Sequence, residues 1–199
     1  MPINFSDTIR IAIYIPFIVG AIFLIFFIFV RKRTAKQLDT LKNFLNGRVE
    51  ANFLNVKFIG DYKGSPFEIK QIPGGKNSPP KIQIKMRTLR PISVKIYKHS
   101  FIFSLGEKLG ILSKSISTGD MLFDKIFRIS SSSDMNVISF ISSAENRTLI
   151  QDIFRAEFKS FKIKSGHIEI MKPYNNLENE LKQDKIIPAL KALHKLAFA

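Results

Sequence analysis

The sequence predicts an α+β chain: one N-terminal transmembrane helix, then a small domain of mainly antiparallel strands with short helices and a C-terminal helix. Three observations predict it. Residues 11–30 form an apolar run without a charge, followed at once by Arg31-Lys32-Arg33. Several later stretches alternate apolar and polar residues with a period of two, the pattern of half-buried strands. The tail carries Ile186, Leu190, Leu193 and Ala197 at helical spacing.

Residues 1–10 read as a short flank in which Asp7 and Arg10 cancel. As a helix, the run Ile11–Val30 extends about 30 Å, the hydrocarbon thickness of a bilayer. It exceeds the roughly 7–15 apolar residues of a cleaved signal and lacks a small-residue cleavage site, so it reads as an uncleaved anchor. Lys and Arg beside a span prefer the cytoplasmic side. Arg31, Lys32, Arg33 and Lys36 follow the run, against Arg10 alone before it. The expected topology is therefore single-pass in the inner (cytoplasmic) membrane, N-terminus outside and C-terminal domain cytosolic.

Residues 31–47 read as a basic juxtamembrane and connector helix, which either continues the apolar helix or bends back along the membrane. Leu38, Leu41 and Leu45 keep helical spacing, Phe44 widens the stripe, and Gly47 supplies a stop. Residues 48–199 form the expected α+β domain. Val56–Ile59 and Phe67–Lys70 suggest a hairpin turning near Lys63–Pro66, and Pro73–Pro80 is a loop. Ile82, Ile84 and Met86 alternate with Lys81, Gln83, Lys85 and Arg87; Ile92, Val94 and Ile96 alternate with Ser93, Lys95 and Tyr97. These two runs read as adjacent strands whose wet face collects Lys81, Lys85, Arg87 and Lys95.

Phe101–Ile111 fits a strand or a short helix, and Ser113–Asp120 a polar loop. Short helices are expected around Met135–Ile141 and Glu145–Ala156, with Asp134 and Ser143 as N-caps. Phe161–Ile163 and Ile168–Ile170, joined by Ser165-Gly166, read as a late hairpin. The tail from Leu177 is helical, interrupted or restarted near Pro188. Its stripe closes the core in preference to lying on a membrane.

The net charge of +15 falls entirely on residues after the apolar run. Such a surface favours anionic partners: lipid headgroups, nucleic acid or acidic proteins. Nucleic acid ranks lowest, because single-strand binders stack bases on aromatics and only Tyr97 qualifies. With no cysteine, thiolate catalysis, disulfides and iron–sulfur clusters are excluded.

No catalytic constellation is visible. Asp120 and Asp124 lie four apart but lack a supporting histidine or further carboxylates, so they read as turn and cap residues. His99, His167 and His194 are scattered, and no phosphate-binding glycine loop occurs. The expectation is a non-enzyme without metal or cofactor. Its candidate anion-binding residues are Arg31, Lys32, Arg33, Lys36, Lys81, Lys85, Arg87 and Lys95. The expected partners are the membrane lipid bilayer and a protein.

Gly60-x-Tyr62-x-Gly64, then Thr118-Gly119-Asp120-x-x-Phe123-Asp124-x-x-Phe127, then a Ser-rich turn with paired helices, resemble a family. The chain is similar in outline, from Phe58 to Ile170, to the DUF3137-type proteins, a bacterial membrane-anchored family of unknown function. That resemblance implies one or more membrane helices beside an α+β domain, and it supplies no activity and no site residues.

Overall fold

The structure, a computed structural model, describes residues 5–52, 55–99, 115–131 and 135–198, with side chains from Pro16 onward. The first helix, α1 (Phe5–Asp39), runs without a break past the basic triplet into a 3-10 turn at Thr40–Asn43. The connector thus continues α1 and does not bend back along it. Thr34 and Leu38 of α1 and Leu41 of the 3-10 turn are buried and bind this end of the helix to the sheet.

Among the described residues, no helix is long and apolar enough to cross a membrane. This corrects the expected span at residues 11–30, together with the single-pass topology and the inner-membrane placement drawn from it. Past Val30 the helix runs straight on through Arg31-Lys32-Arg33 into a largely polar stretch that ends packed on the sheet, so α1 is in part an element of the domain.

Among the described residues, eight strands form one wholly antiparallel sheet: β1 (Gly47–Ala51), β2 (Val56–Tyr62), β3 (Ser65–Ile72), β4 (Lys81–Arg87), β5 (Val94–Lys98), β6 (Phe127–Ser131), β7 (Ser160–Lys164) and β8 (His167–Pro173). Their spatial order is β1-β2-β3-β4-β8-β7-β5-β6. Among the described residues, the helices after α1 are α2 (Met121–Ile126), α3 (Met135–Ser142), α4 (Ala144–Arg155), α5 (Leu177–Glu180) and α6 (Gln183–Phe198). The expected Phe101–Ile111 element and the Asp134 cap lie outside the described residues, whereas Ser143 does cap α4, accepting from the Asn146 amide.

Both expected hairpins form, on turns that need positive φ. Lys63 and Gly64 sit at φ 54° and 81°, Ser165 and Gly166 at 53° and 71°. Two successive left-handed residues match the twist of the flanking strands, which is why two-residue turns suffice. Gly60 serves a different purpose: a Cβ there would lie 2.6 Å from the Asn46 carbonyl and 2.7 Å from the Phe67 ring.

Pairing aligns one row of buried side chains across the sheet: Phe58, Ile69, Ile84, Ile170, Phe161, Ile96 and Ile129. Because side chains alternate between faces, this row marks the core side. Against it pack the end of α1 and the apolar stripe Ile186, Leu190, Leu193 and Ala197 of α6, in one continuous core. Pro188 does not interrupt α6. The hydrogen bond it cannot make would reach Asp184, and both residues are exposed, so water can serve that carbonyl. At the other end, Thr88 Oγ1 donates to the Ala197 carbonyl and Arg90 Nε to that of Leu196, each at 3.0 Å. These donors satisfy carbonyls that a helix end leaves open.

One expectation about the sheet is corrected. β4 and β5 are not neighbours, because β8 and β7 stand between them. Periodicity fixes the face a residue occupies, and that part holds, but it says nothing about which strand lies alongside.

Candidate anion-binding surfaces

The basic collar sits where α1 meets the domain. Lys32, Arg33 and Lys36 are exposed, while Arg31 is half-buried. The Arg31 guanidinium lies 5.9 Å from the centre of the Phe27 ring and donates to the Asn52 carbonyl. Thr34 Oγ1 donates to Gln71 Oε1 at 2.7 Å, fastening the collar to β3. On the N-terminal side of the collar, apolar side chains are exposed around the whole circumference of α1. Phe17 is 72% exposed, Phe23 70% and Ile25 67%, and Phe26 and Phe29 follow closely.

The sheet face opposite the core carries the second group. Lys81, Lys85 and Arg87 alternate with the buried Ile82, Ile84 and Met86 on β4. Lys95 reaches the same face from β5. Register places Lys85, Glu169, Lys162 and Lys95 side by side across β4, β8, β7 and β5. Lys162 was invisible to sequence reasoning as part of this group, since only the pairing of β7 with β5 reveals it. The face is mixed in charge: Glu68 Oε2 lies 3.3 Å from Lys57 Nζ, and its Oε1 lies 3.8 Å from Lys85 Nζ. Lys162 and Lys95, by contrast, are like charges in directly opposed positions.

Asp120 and Asp124 organise the start of α2. Asp120 Oδ1 accepts from the Leu122 and Phe123 amides at 3.0 and 3.1 Å, and its Oδ2 lies 3.3 Å from Arg147 Nε. Asp124 accepts from Ser117 Oγ at 2.7 Å and from the amide and hydroxyl of Thr118. Burial pushes the Asp124 pKa up, but the hydrogen bonds from Ser117, Thr118 and Gly119 together hold it below its ordinary value. Both carboxylates are thus occupied by the local turn. Among the described residues no group of three or more His, Cys, Asp or Glu could hold a metal ion. His194 packs against Tyr62 and Phe198, and His167 Nδ1 lies 2.8 Å from the Ser165 carbonyl.

A further charged cluster lies on the core side. Lys172 follows Ile168 and Ile170 in register, so its ammonium enters a core position. It lies 2.7 Å from Glu180 Oε2 and 2.8 Å from Glu157 Oε2, and Lys185 also meets Glu180 at 2.9 Å. Burial lowers the Lys172 pKa, yet the two carboxylates outweigh it and the net shift is upward. The cluster borders a cavity of about 300 Å³ with Ile82, Phe158 and Ile186. The alternation Ile168, Ile170, Lys172 held the signal for this lysine, and only its partners were hidden.

No protein-family model matches this chain, and neither a curated protein nor a solved structure does.

Proposed function

We propose that the protein is a non-enzymatic interaction module that attaches to an anionic lipid surface, the apolar part of α1 entering the acyl region and the collar Arg31, Lys32, Arg33 and Lys36 meeting the headgroups. The observation that carries this reading is the all-round exposure of the apolar side chains from Phe17 to Val30, ending at a ring of cations. Monomeric domains rarely leave an apolar surface of this extent in water. Burying each large side chain is worth roughly 1.5–3 kcal/mol, so the set contributes on the order of 20 kcal/mol. Each basic residue near an anionic surface adds about 1 kcal/mol, enough to set lipid preference but not to drive attachment.

The sheet face with Lys81, Lys85, Arg87 and Lys95 is the secondary contact in this reading, because Glu68 and Glu169 divide its field. Flotation of the full chain with liposomes tests the proposal. Phosphatidylglycerol vesicles should carry it more efficiently than phosphatidylcholine vesicles, and the difference should shrink as salt rises. A discrete oligomer that hides α1 without lipid, and stays behind when the vesicles float, would assign the apolar helix to a protein partner instead.

A further inference from the structure

Where α1 leaves the domain, an open groove of about 510 Å³ lies between that helix, the end of β3 and the segment after β8, with Phe26, Phe29 and Arg33 exposed along it. Its lining changes character along its length. Phe26, Phe29, Val30, Arg33 and Gln37 share one face of α1, and all five border the groove. Apolar groups therefore give way to a cation and then an amide along the helix. From Arg33 to Gln37 is about 6 Å, close to the depth of one headgroup layer. The order is that of an amphiphile, tail before head.

At the polar end the Tyr174 hydroxyl and the Gln71 side chain lie against each other. Tyr174 is more than nine-tenths buried, and its hydroxyl lies beside Gln71 without a hydrogen bond of good geometry among the described residues. Burial accordingly raises the Tyr174 pKa. Gln71 accepts from Thr34 through its oxygen, which leaves the amide NH₂ to donate. Arg33 adds a guanidinium, whose fork of N–H groups suits phosphate oxygens. Glu178 on the opposite wall supplies one carboxylate, so the groove is not simply cationic. A group with phosphate oxygens on one side and a hydroxyl or ammonium on the other satisfies both walls.

We infer that this groove holds one membrane glycerophospholipid, its phosphodiester at Arg33, Gln71 and Tyr174, its headgroup donor at Glu178, and its acyl chains along Phe26 and Phe29. The inference rests on the lipid-surface reading and deepens it from a surface to a single bound molecule. A phosphomonoester headgroup is disfavoured, since it offers Glu178 a second negative charge and no donor beyond the phosphate.

Native mass spectrometry of the full chain released from detergent micelles tests it, with phosphatidylglycerol, phosphatidylethanolamine and phosphatidic acid as probes. One adduct per chain is expected, with the two donor-bearing headgroups retained about five- to tenfold over phosphatidic acid, the worth of roughly one ordinary hydrogen bond. Arg33→Gln and Tyr174→Phe should each weaken retention severalfold, with thermal denaturation confirming that both variants fold. Soluble glycerophosphate should not displace the adduct, because it lacks the acyl chains. Non-selective or multiple adducts, equal retention in both variants, or displacement by glycerophosphate would each overturn the inference. Flotation of the wild-type chain reads the surface proposal separately, so persistent flotation without a selective adduct would defeat only the single-lipid site.

Discussion

Glu180 is the more consequential half of the buried ion pair, and two substitutions separate it from Lys172. In Glu180→Gln, Lys172 keeps its ammonium at a position whose side chain is 8% exposed, with only the outward-lying Glu157 as an anion. Removing one partner of a buried pair costs about 3–5 kcal/mol when the other charge is left uncompensated. The remaining contact to Glu157 and the retained amide reduce this, and about 2–4 kcal/mol is expected. In Lys172→Met the outcome differs. Glu180 is still 2.9 Å from Lys185, and Glu157 is already hydrated. The thioether fills the aliphatic path of the lysine among Ile82, Phe158 and Ile186, and the desolvation of an ammonium disappears. A cost below about 1.5 kcal/mol is expected, as for a nearly volume-conserving core replacement. For a domain of this size each kcal/mol moves Tm by about 2–4 °C, so the two variants should be separated by several degrees. Thermal and urea denaturation of the full chain in mild detergent at neutral pH reads the difference. A Lys172→Met variant as unstable as Glu180→Gln, or more so, would refute the claim that the uncompensated lysine is the dominant penalty.

Asp124 has a lowered pKa in the folded chain, so its contribution to stability is fully present above the unfolded carboxyl value and is lost as pH falls through the folded value. Asp124→Asn should cost about 1–2 kcal/mol at neutral pH and flatten that acid limb in an acid-titrated melt; an unchanged limb would mean that another carboxylate carries it. On the open sheet face, joint replacement of Lys95 and Lys162 by Gln should raise stability by a few tenths of a kcal/mol, because opposed like charges destabilise a strand pair. The same variant should lose part of its low-salt preference for anionic vesicles; a fall in stability would show that the two lysines are held by partners rather than set against each other.

Legibility followed the range of the interactions. The hairpins at Lys63-Gly64 and Ser165-Gly166, the Ser143 cap and the stripe of α6 depend on residues within a few positions of each other, and all were readable. So was the face of each residue in β4 and β5, because period two is a property of a single strand. The neighbour of a strand is not local. β4 and β5 follow each other in sequence, yet the closest partners of β5 are β6 and β7, so the basic row could be assembled only once Lys162 was known to stand beside Lys95. The Lys172 cluster was hidden for the same reason, its carboxylates lying on the α4–β7 connection and on α5. At Pro188 the local rule was applied too strictly, because an exposed carbonyl one turn earlier can turn to water.

The unbroken passage of α1 from its exposed apolar length into the buried Leu38 has a mechanical consequence. A flexible linker of ten residues would let the domain wander over about 16–19 Å. Here Val30 and Leu38 are separated by helix alone, a fixed stand-off of about 12 Å. The sheet is carried at a set height and heading relative to whatever grips the stem, as a blade is carried by its shaft. Torque applied to the exposed end is delivered to the edge formed by β1 and β2, the strands α1 packs against, before it reaches any other part of the molecule.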